Sequence, residues 1–239
     1  MAKKSKKYRA ALEQIDRDRL YGPKSGFRLL KQIDSAGYDA TVEVAFRLGI
    51  DPRKADQMIR GAVALPHGTG SEVIVAVVAQ GEKAADATAA GADHVGSDDL
   101  VERLAAGELL DELDSIIATP DMMGKLGRLG KSLGPRGLMP NPKSGTVTMD
   151  VGKAVSEIKA GRVEYRSDRN GNVHVKIGKA SFELEQLVEN YAALVEEIVR
   201  QRPSAAKGRY IQTVAISTSM SPSIVLDSTK SRALLEDED

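Results

Sequence analysis

Two kinds of strand occur along this chain, and their order restricts how it can fold. From Tyr38 to Ala45 the residues alternate, with Val42 and Val44 on one side and Thr41 and Glu43 on the other. That is the pattern of a half-buried strand with one polar face. Val73 to Ala79 is instead an unbroken apolar run, as in a strand covered on both faces of a parallel sheet. After Arg162 the alternation returns in RVEYRSD and NVHVKIG, on either side of Arg169-Asn170-Gly171. Asn-Gly between alternating segments predicts a hairpin. Half-buried strands, then fully buried ones, then half-buried ones again predict a middle body inserted into an outer one.

The middle body reads as α/β. The Val73–Ala79 strand is followed by an Ala-rich helix from about Glu82 to Ala90 and a short strand at Ala92–Val95. A helix from about Asp98 to Ala106, a strand at Ser115–Ala118 and a helical stretch from Pro120 complete it. Strand and helix in turn predict a Rossmann-like, three-layer α/β domain over residues 67–159.

The flanks are less complete. The amino-terminal one has a basic helix (residues 4–19), a helix from Ser25 to Ile33, the Tyr38–Ala45 strand and a helix opened by Asp51-Pro52 and running to about Arg60. The carboxyl-terminal one has the hairpin, a long helix from Phe182 to about Gln201 and a strand from Tyr210 to Ser217. Glu236–Asp239 reads as a disordered acidic tail. Neither flank has the three strands and packed helix that a small sheet needs. The expectation is one split α+β domain, an antiparallel sheet with helices, from residues 1–66 plus 160–239. The two crossings, His67, Gly68 and Gly70 on one side and Lys159 and Gly161 on the other, form a double hinge.

Charge follows the same division. The 34 basic and 34 acidic residues cancel, but residues 1–31 hold 10 basic against 3 acidic and residues 67–118 hold 2 against 11. The neutral sum is therefore an average over unlike parts, and such asymmetry suggests separate partners. The chain has no Cys, which excludes a disulfide framework and thiolate zinc sites. No apolar core follows MAKKSKKYRA and no apolar run approaches eighteen residues, so a cytoplasmic protein without a membrane span is expected.

Catalytic patterns are weak. Gly130-Lys131-Ser132 matches the tail of a phosphate loop, but Lys125 stands where its first glycine is required. His67, His94 and His174 lie in unrelated contexts, and neither a G-x-S-x-G elbow nor metal-ligand spacing is present. No enzyme and no cofactor are expected. The polar strand faces carry more: Thr41 and Glu43 project together, and Arg166, Asp168, His174 and Lys176 line the hairpin. Such groups suit ribose hydroxyls, phosphates and base edges, and an ordinary solvated strand face fits the pattern equally. Few aromatics lie nearby, Tyr38 and Tyr165 among them, which favours reading the shape of a folded RNA over base stacking.

Four blocks in order resemble the universal large-subunit ribosomal protein L-one family. They are DATVEVAFRLGIDPRKADQMIRG (Asp39 to Gly61), GPRGLMPNPKSGTV (Gly134 to Val147), KAGRVEYRSDRNGNVHVKIGKASF (Lys159 to Phe182) and the Ser-Met-Ser-Pro turn after the last strand. The similarity runs from about Tyr8 to Leu226. It implies a structural constituent of the large subunit, monomeric within the ribosome, that holds the ribosomal RNA of the lateral stalk beside the exit site. It also implies assistance to departing deacylated tRNA and repression of translation of the protein's own messenger RNA.

The RNA contacts it implies fall on Tyr38, Thr41 and Glu43, on Arg166, Asp168 and His174, and on Ser219, Met220 and Ser221. Arg53, Lys54 and Lys176 complete the candidate set. The family's usual Thr-Met-Gly stands here as Ser219-Met220-Ser221, Tyr38 and Gly37 stand for common Phe and Lys, and Lys176 replaces a common Pro.

Overall fold

The computed structural model describes residues 5–54 and 56–229. The acidic tail and the first lysines of the basic arm lie outside them. The first elements are α1 (Lys6–Glu13), α2 (Pro23–Ile33), β1 (Thr41–Leu48) and β2 (Arg60–Ala64). Then come β3 (Val75–Val78), α3 (Glu82–Ala89), β4 (His94–Gly96), α4 (Asp98–Ala105) and β5 (Ser115–Ala118). The short helices α5 (Met123–Leu126) and α6 (Gly130–Leu133) precede α7 (Val151–Lys159). The chain ends in β6 (Arg162–Arg166), β7 (Asn172–Lys179), α8 (Leu184–Arg200), β8 (Ile211–Thr218) and β9 (Ile224–Leu226).

The residues divide into two compact units. One joins the chain up to Gly70 with the chain from Val163 onward, and the other is Ser71–Arg162.

In the first unit an antiparallel sheet runs in the order β7-β1-β8-β9. Strand β1 is central, and both of its neighbours come from the far end of the chain. Its Val42, Val44, Phe46 and Leu48 are buried with Val173, Val175, Ile177, Val214, Ile216, Ile224 and Leu226. Helices α2 and α8 cover that face through Phe27, Leu30 and Ile33 and through Leu187, Tyr191, Leu194 and Ile198. Tyr191 sits at the centre, edge-on to Phe27 at 5.6 Å and stacked on Phe46 at 6.3 Å. Gly26 lets α2 approach β9, since a Cβ there would lie 2.4 Å from the Leu226 side chain. Helix α2 starts at Pro23 with Gly22 as its cap; Ser25, expected in that place, donates its hydroxyl to Gly22 O instead.

Two expectations fail here. The hairpin around Asn170-Gly171 does not form a paired ladder. Strand β6 pairs with β2 in a separate two-stranded sheet while β7 pairs with β1, leaving only the Ser167–Val173 bridge between them. Residues 51–54 and 56–58 form turns and bends, not a helix. Asp51 accepts the Arg53 N–H at 3.2 Å, and Gln57 Oε1 accepts the Asp51 N–H at 2.8 Å. The Ile59 N–H then donates to Ser167 Oγ at 3.2 Å, which draws the following residues onto β6.

The second unit is a parallel three-stranded sheet in the order β4-β3-β5. Alternate residues of β3 and β5 face opposite ways, and all but the half-buried Ser115 are buried. Ala76, Val78, Ile116 and Ala118 meet Leu100, Leu104, Leu126 and Leu133. Val75, Val77 and Ile117 meet Ala87, Val151, Ala154, Val155 and Ile158. This double cover is why Val73–Ala79 shows no polar alternation. Gly130–Leu133 is a helical turn, so Gly130-Lys131-Ser132 does not form a phosphate-binding loop. The glycine-rich stretch from Gly124 carries α5, α6 and an intervening 3₁₀ turn.

Candidate nucleic-acid interface

The face of the four-stranded sheet opposite the helices is polar. The β1 residues Thr41, Glu43, Ala45 and Arg47 all point away from the core. Pairing sets them in ranks across the sheet. Glu43 stands between Lys176 of β7 and Ser217 of β8. The next rank is His174, Ala45, Ala215 and Val225, and the third is Asn172, Arg47 and Thr213. A cation, a carboxylate and a hydroxyl thus share one rank, with a low floor of small residues in the next.

The Ser219–Ser221 turn joins this face at the start of β1. The Ser219 N–H donates to Thr41 O at 3.2 Å. Ser221 closes the turn, because its N–H donates to Thr218 O at 3.3 Å and its hydroxyl oxygen accepts the Thr218 N–H at 2.9 Å. Among the described non-glycine residues only Leu109 has a left-handed φ. Ser221 therefore occupies the place of the family's glycine without strain and adds a side-chain hydrogen bond that glycine lacks. Met220 stands at the tip, 61% exposed, and Tyr38 is 57% exposed ahead of β1. Lys179 donates to the Thr41 hydroxyl at 3.0 Å and so fixes that oxygen's direction.

At the opposite end of β1, Asp168 builds the turn between β6 and β7. Its Oδ1 accepts the N–H groups of Asn170 and Asn172 at 2.8 and 2.7 Å, and Oδ2 accepts the Asn172 amide at 3.1 Å. Burial pushes its carboxyl upward, but these hydrogen bonds and the nearby His174 outweigh that and hold it below the usual carboxylate range. Asp39 is likewise held low, chiefly by the Ser181 hydroxyl at 2.7 Å.

The structure thus brings Tyr38, Thr41, Glu43, His174, Lys176 and Ser219–Ser221 to one sheet face and its rim. Arg166 is exposed on β6, in the other sheet, and Arg53 and Lys54 are exposed in the turns beyond β1. Sequence reasoning missed Arg47 and Ser217. Arg47 continues the same alternation two residues past Ala45, where the strand was expected to end. It donates to Asn170 O and, at 3.3 Å, to Asn172 Oδ1.

The first crossing segment is clamped. Asn190, fully buried on α8, accepts the His67 N–H at 3.0 Å and donates to Gly68 O at 2.9 Å and Ile177 O at 2.8 Å. The His67 ring pairs with Glu189. In the other unit Lys159, at the end of α7, pairs with Asp93 at 3.1 Å. Gly70 and Gly161 have φ of +67° and +101°.

No group of three or more His, Asp or Glu suited to a metal occurs among the described residues. No helix among them is long and apolar enough to cross a membrane.

Residues 29–222 match the ribosomal protein L1p/L10e family. The chain is 61% identical over 237 residues to the large ribosomal subunit protein uL1 of Streptomyces sp. (strain FRI-5), covering 99% of this chain and 98% of that one. It is 61% identical to the uL1 protein of Thermobifida fusca, over 96% of this chain and 97% of that one. It is 59% identical to that of Streptomyces coelicolor, over 100% and 98%. The chain belongs to the ribosomal protein L1p/L10e family, and its work is structural, not enzymatic.

Proposed function

We propose that the chain is a constituent of the large ribosomal subunit in the cytoplasm, where it binds the ribosomal RNA of the lateral stalk. The RNA lies on the outer face of the β7-β1-β8-β9 sheet and against the Ser219–Ser221 turn. The observation that carries this reading is the Ser219 N–H donating to Thr41 O. It puts an exposed methionine turn and a hydroxyl–carboxylate strand face at one place. Glu43 accepts from a ribose hydroxyl or a base amino group, while Lys176 and Arg47 meet phosphates. From this position the protein assists release of deacylated tRNA next to the exit site. Binding of a similar element in its own messenger RNA represses translation.

The split α+β unit carries the affinity in this reading, and the inserted unit is a Rossmann-like α/β domain. The acidic stretch of residues 67–118 is repelled by RNA and stays clear of it. Of the candidate hinge residues, His67 and Gly68 are clamped by Asn190 and Lys159 is paired with Asp93. Gly70 and Gly161, which lacking a Cβ hold φ of +67° and +101° without steric penalty, are the pivots.

A titration of the chain against the stalk segment of large-subunit RNA at several salt concentrations tests the reading. Log affinity should fall linearly with log salt, by about 0.9 per neutralised phosphate on duplex and about 0.7 on single strands. Binding that is absent or independent of salt would overturn it.

A further inference from the structure

Strand β9 is the edge of the four-stranded sheet, and beyond it lies a cleft that the site described above does not include. Its walls are Leu12 and Ile15 of α1 and the segment after it, with Pro222, Ser223 and Val225 opposite. Asp16, Arg17 and Arg19 line it from the connection to α2. The open cleft holds about 220 Å³, below the roughly 300 Å³ at which drug-sized sites begin, and of the order of a single heterocycle. The floor is apolar and the rim is polar.

Continuity with the sheet says what it holds. Val225 closes the rank His174, Ala45, Ala215, Val225. Between His174 and the cleft that rank offers two alanines, a low path flanked by Glu43 and Ser217 on one side and Arg47 and Thr213 on the other. Pro222 and Ser223 follow directly on the Ser219–Ser221 turn. A nucleic-acid strand lying along this path leads straight into the cleft.

The groups in it suit a nucleotide. The Arg19 guanidinium lies over the Tyr21 ring, 5.3 Å from its centroid. It is a plane already held in place, and a base stacks on such a plane. The Asp16 N–H donates to the Tyr21 hydroxyl at 2.9 Å and one Asp16 oxygen accepts the Asp18 N–H at 3.0 Å. The carboxylate's remaining lone pairs can accept from the N–H groups of a base edge. Arg17 supplies a charge for the phosphate, and the basic residues Lys6, Lys7 and Arg9 on α1 extend that field.

We infer that this cleft seats one unpaired nucleotide of the bound RNA, its base between α1 and the Pro222–Val225 edge, its phosphate beside Arg17 and Arg19. The inference rests on the sheet face being an RNA site.

The test uses the full chain and the stalk RNA fragment, with four proteins compared: the unaltered chain, the double variant Arg17→Ser/Arg19→Ser, the cleft-filling Ser223→Trp, and Met220→Asp. Ser223 is exposed, and thermal melts verify that each variant folds. The unaltered complex should protect one unpaired base from reagents that attack base edges. The double variant should bind about tenfold more weakly near 0.15 M salt, with a slope lower by about 0.7, from the nucleotide's one phosphate. Ser223→Trp should re-expose that same base with the slope unchanged. If the arginine variant weakens binding but Ser223→Trp leaves every protection as before, the cleft is no seat and the inference fails. If both cleft variants match the unaltered chain while Met220→Asp binds weakly, the inference fails and the RNA face stands. If Met220→Asp also binds normally, the RNA face itself is wrong.

Discussion

The buried Thr218 hydroxyl donates to Asp34 Oδ1 at 3.0 Å, tying the last residue of β8 to the end of α2. The Asp34 N–H still bonds to Leu30 O and its Oδ1 also faces the Ala36 N–H, so the carboxylate is anchored from its own side. Thr218 is therefore held at its side chain by α2 and at its backbone by Ser221. The Met220 turn inherits its position from a helix on the far side of the sheet.

Thr218→Val keeps the shape and removes only that hydroxyl. Stability should fall by about 1 kcal/mol, the ordinary net worth of such a bond. Affinity for stalk RNA should fall as well, because the turn loses its fixed position. Urea unfolding and RNA titration of one sample measure both.

Met220→Asp separates the turn from the fold. The side chain is exposed, so the melting temperature should not move beyond the small change typical of surface substitutions. RNA affinity should drop by at least about 2 kcal/mol, since the contact would bury an unpaired charge against phosphate or base. Equal affinity at fixed salt would remove this turn from the interface.

Tyr191 offers a test of the core. Its ring is fully buried between Phe27 and Phe46, and among the described residues its hydroxyl has no hydrogen-bond partner. Burial accordingly pushes the phenol pKa far upward. Tyr191→Phe removes the unsatisfied group and should leave stability unchanged or raise it by about 1 kcal/mol. A loss beyond 1 kcal/mol in the urea midpoint analysis would mean that the hydroxyl does have a partner.

Asp168 gives a pH signature. Its folded carboxyl lies below the unfolded value near 3.9. Its contribution is therefore complete above that value and is lost as pH falls through the lower, folded one. Asp168→Asn should destabilise the chain at pH 7, and the difference should shrink as pH drops below about 4. A difference that grows on acidification would contradict the Asx turn.

A fifth variant concerns the two units. The chain up to Gly70 joined by a short linker to the chain from Val163 contains the whole β7-β1-β8-β9 sheet and its helices. It should melt cooperatively and bind stalk RNA almost as tightly as the full chain. Tighter binding by Ser71–Arg162 alone would place the site in the wrong unit.

Local chemistry made much of this legible in advance. The alternation through Thr41 and Glu43 marked β1 and its polar face, and the unbroken Val73–Ala79 run marked a strand covered on both sides. What failed was the choice of distant partners. Asn170-Gly171 is a hairpin signal at short range, yet β6 finds β2, about a hundred residues earlier, and β7 finds β1. Nothing in RGAVA (Arg60–Ala64) announces a strand, because its identity comes from Val163 and Tyr165 packing beside it. Gly61 shows that dependence: a Cβ there would lie 2.7 Å from the Tyr165 hydroxyl. The Asp51-Pro52 helix signal was real but lost to Gln57 and Ser167, whose side chains bind the same backbone another way. Arg47 was missed through a boundary error alone, and boundaries are the least secure part of any pattern reading.

The sheet order bears on how the protein is made. Strand β1 has β7 and β8 for neighbours and β2 has β6, so no amino-terminal strand can pair until the last third of the chain has been synthesised. The continuous Ser71–Arg162 unit has no such dependence and is the first body that can close as the polypeptide emerges, since domains fold as units during synthesis. Phe46, Val44 and the rest of the β1 core face must wait uncovered through that interval. A chain cut short by stalled translation before Asn172 would therefore carry one finished domain and one exposed apolar strand, a natural target for chaperones and proteases.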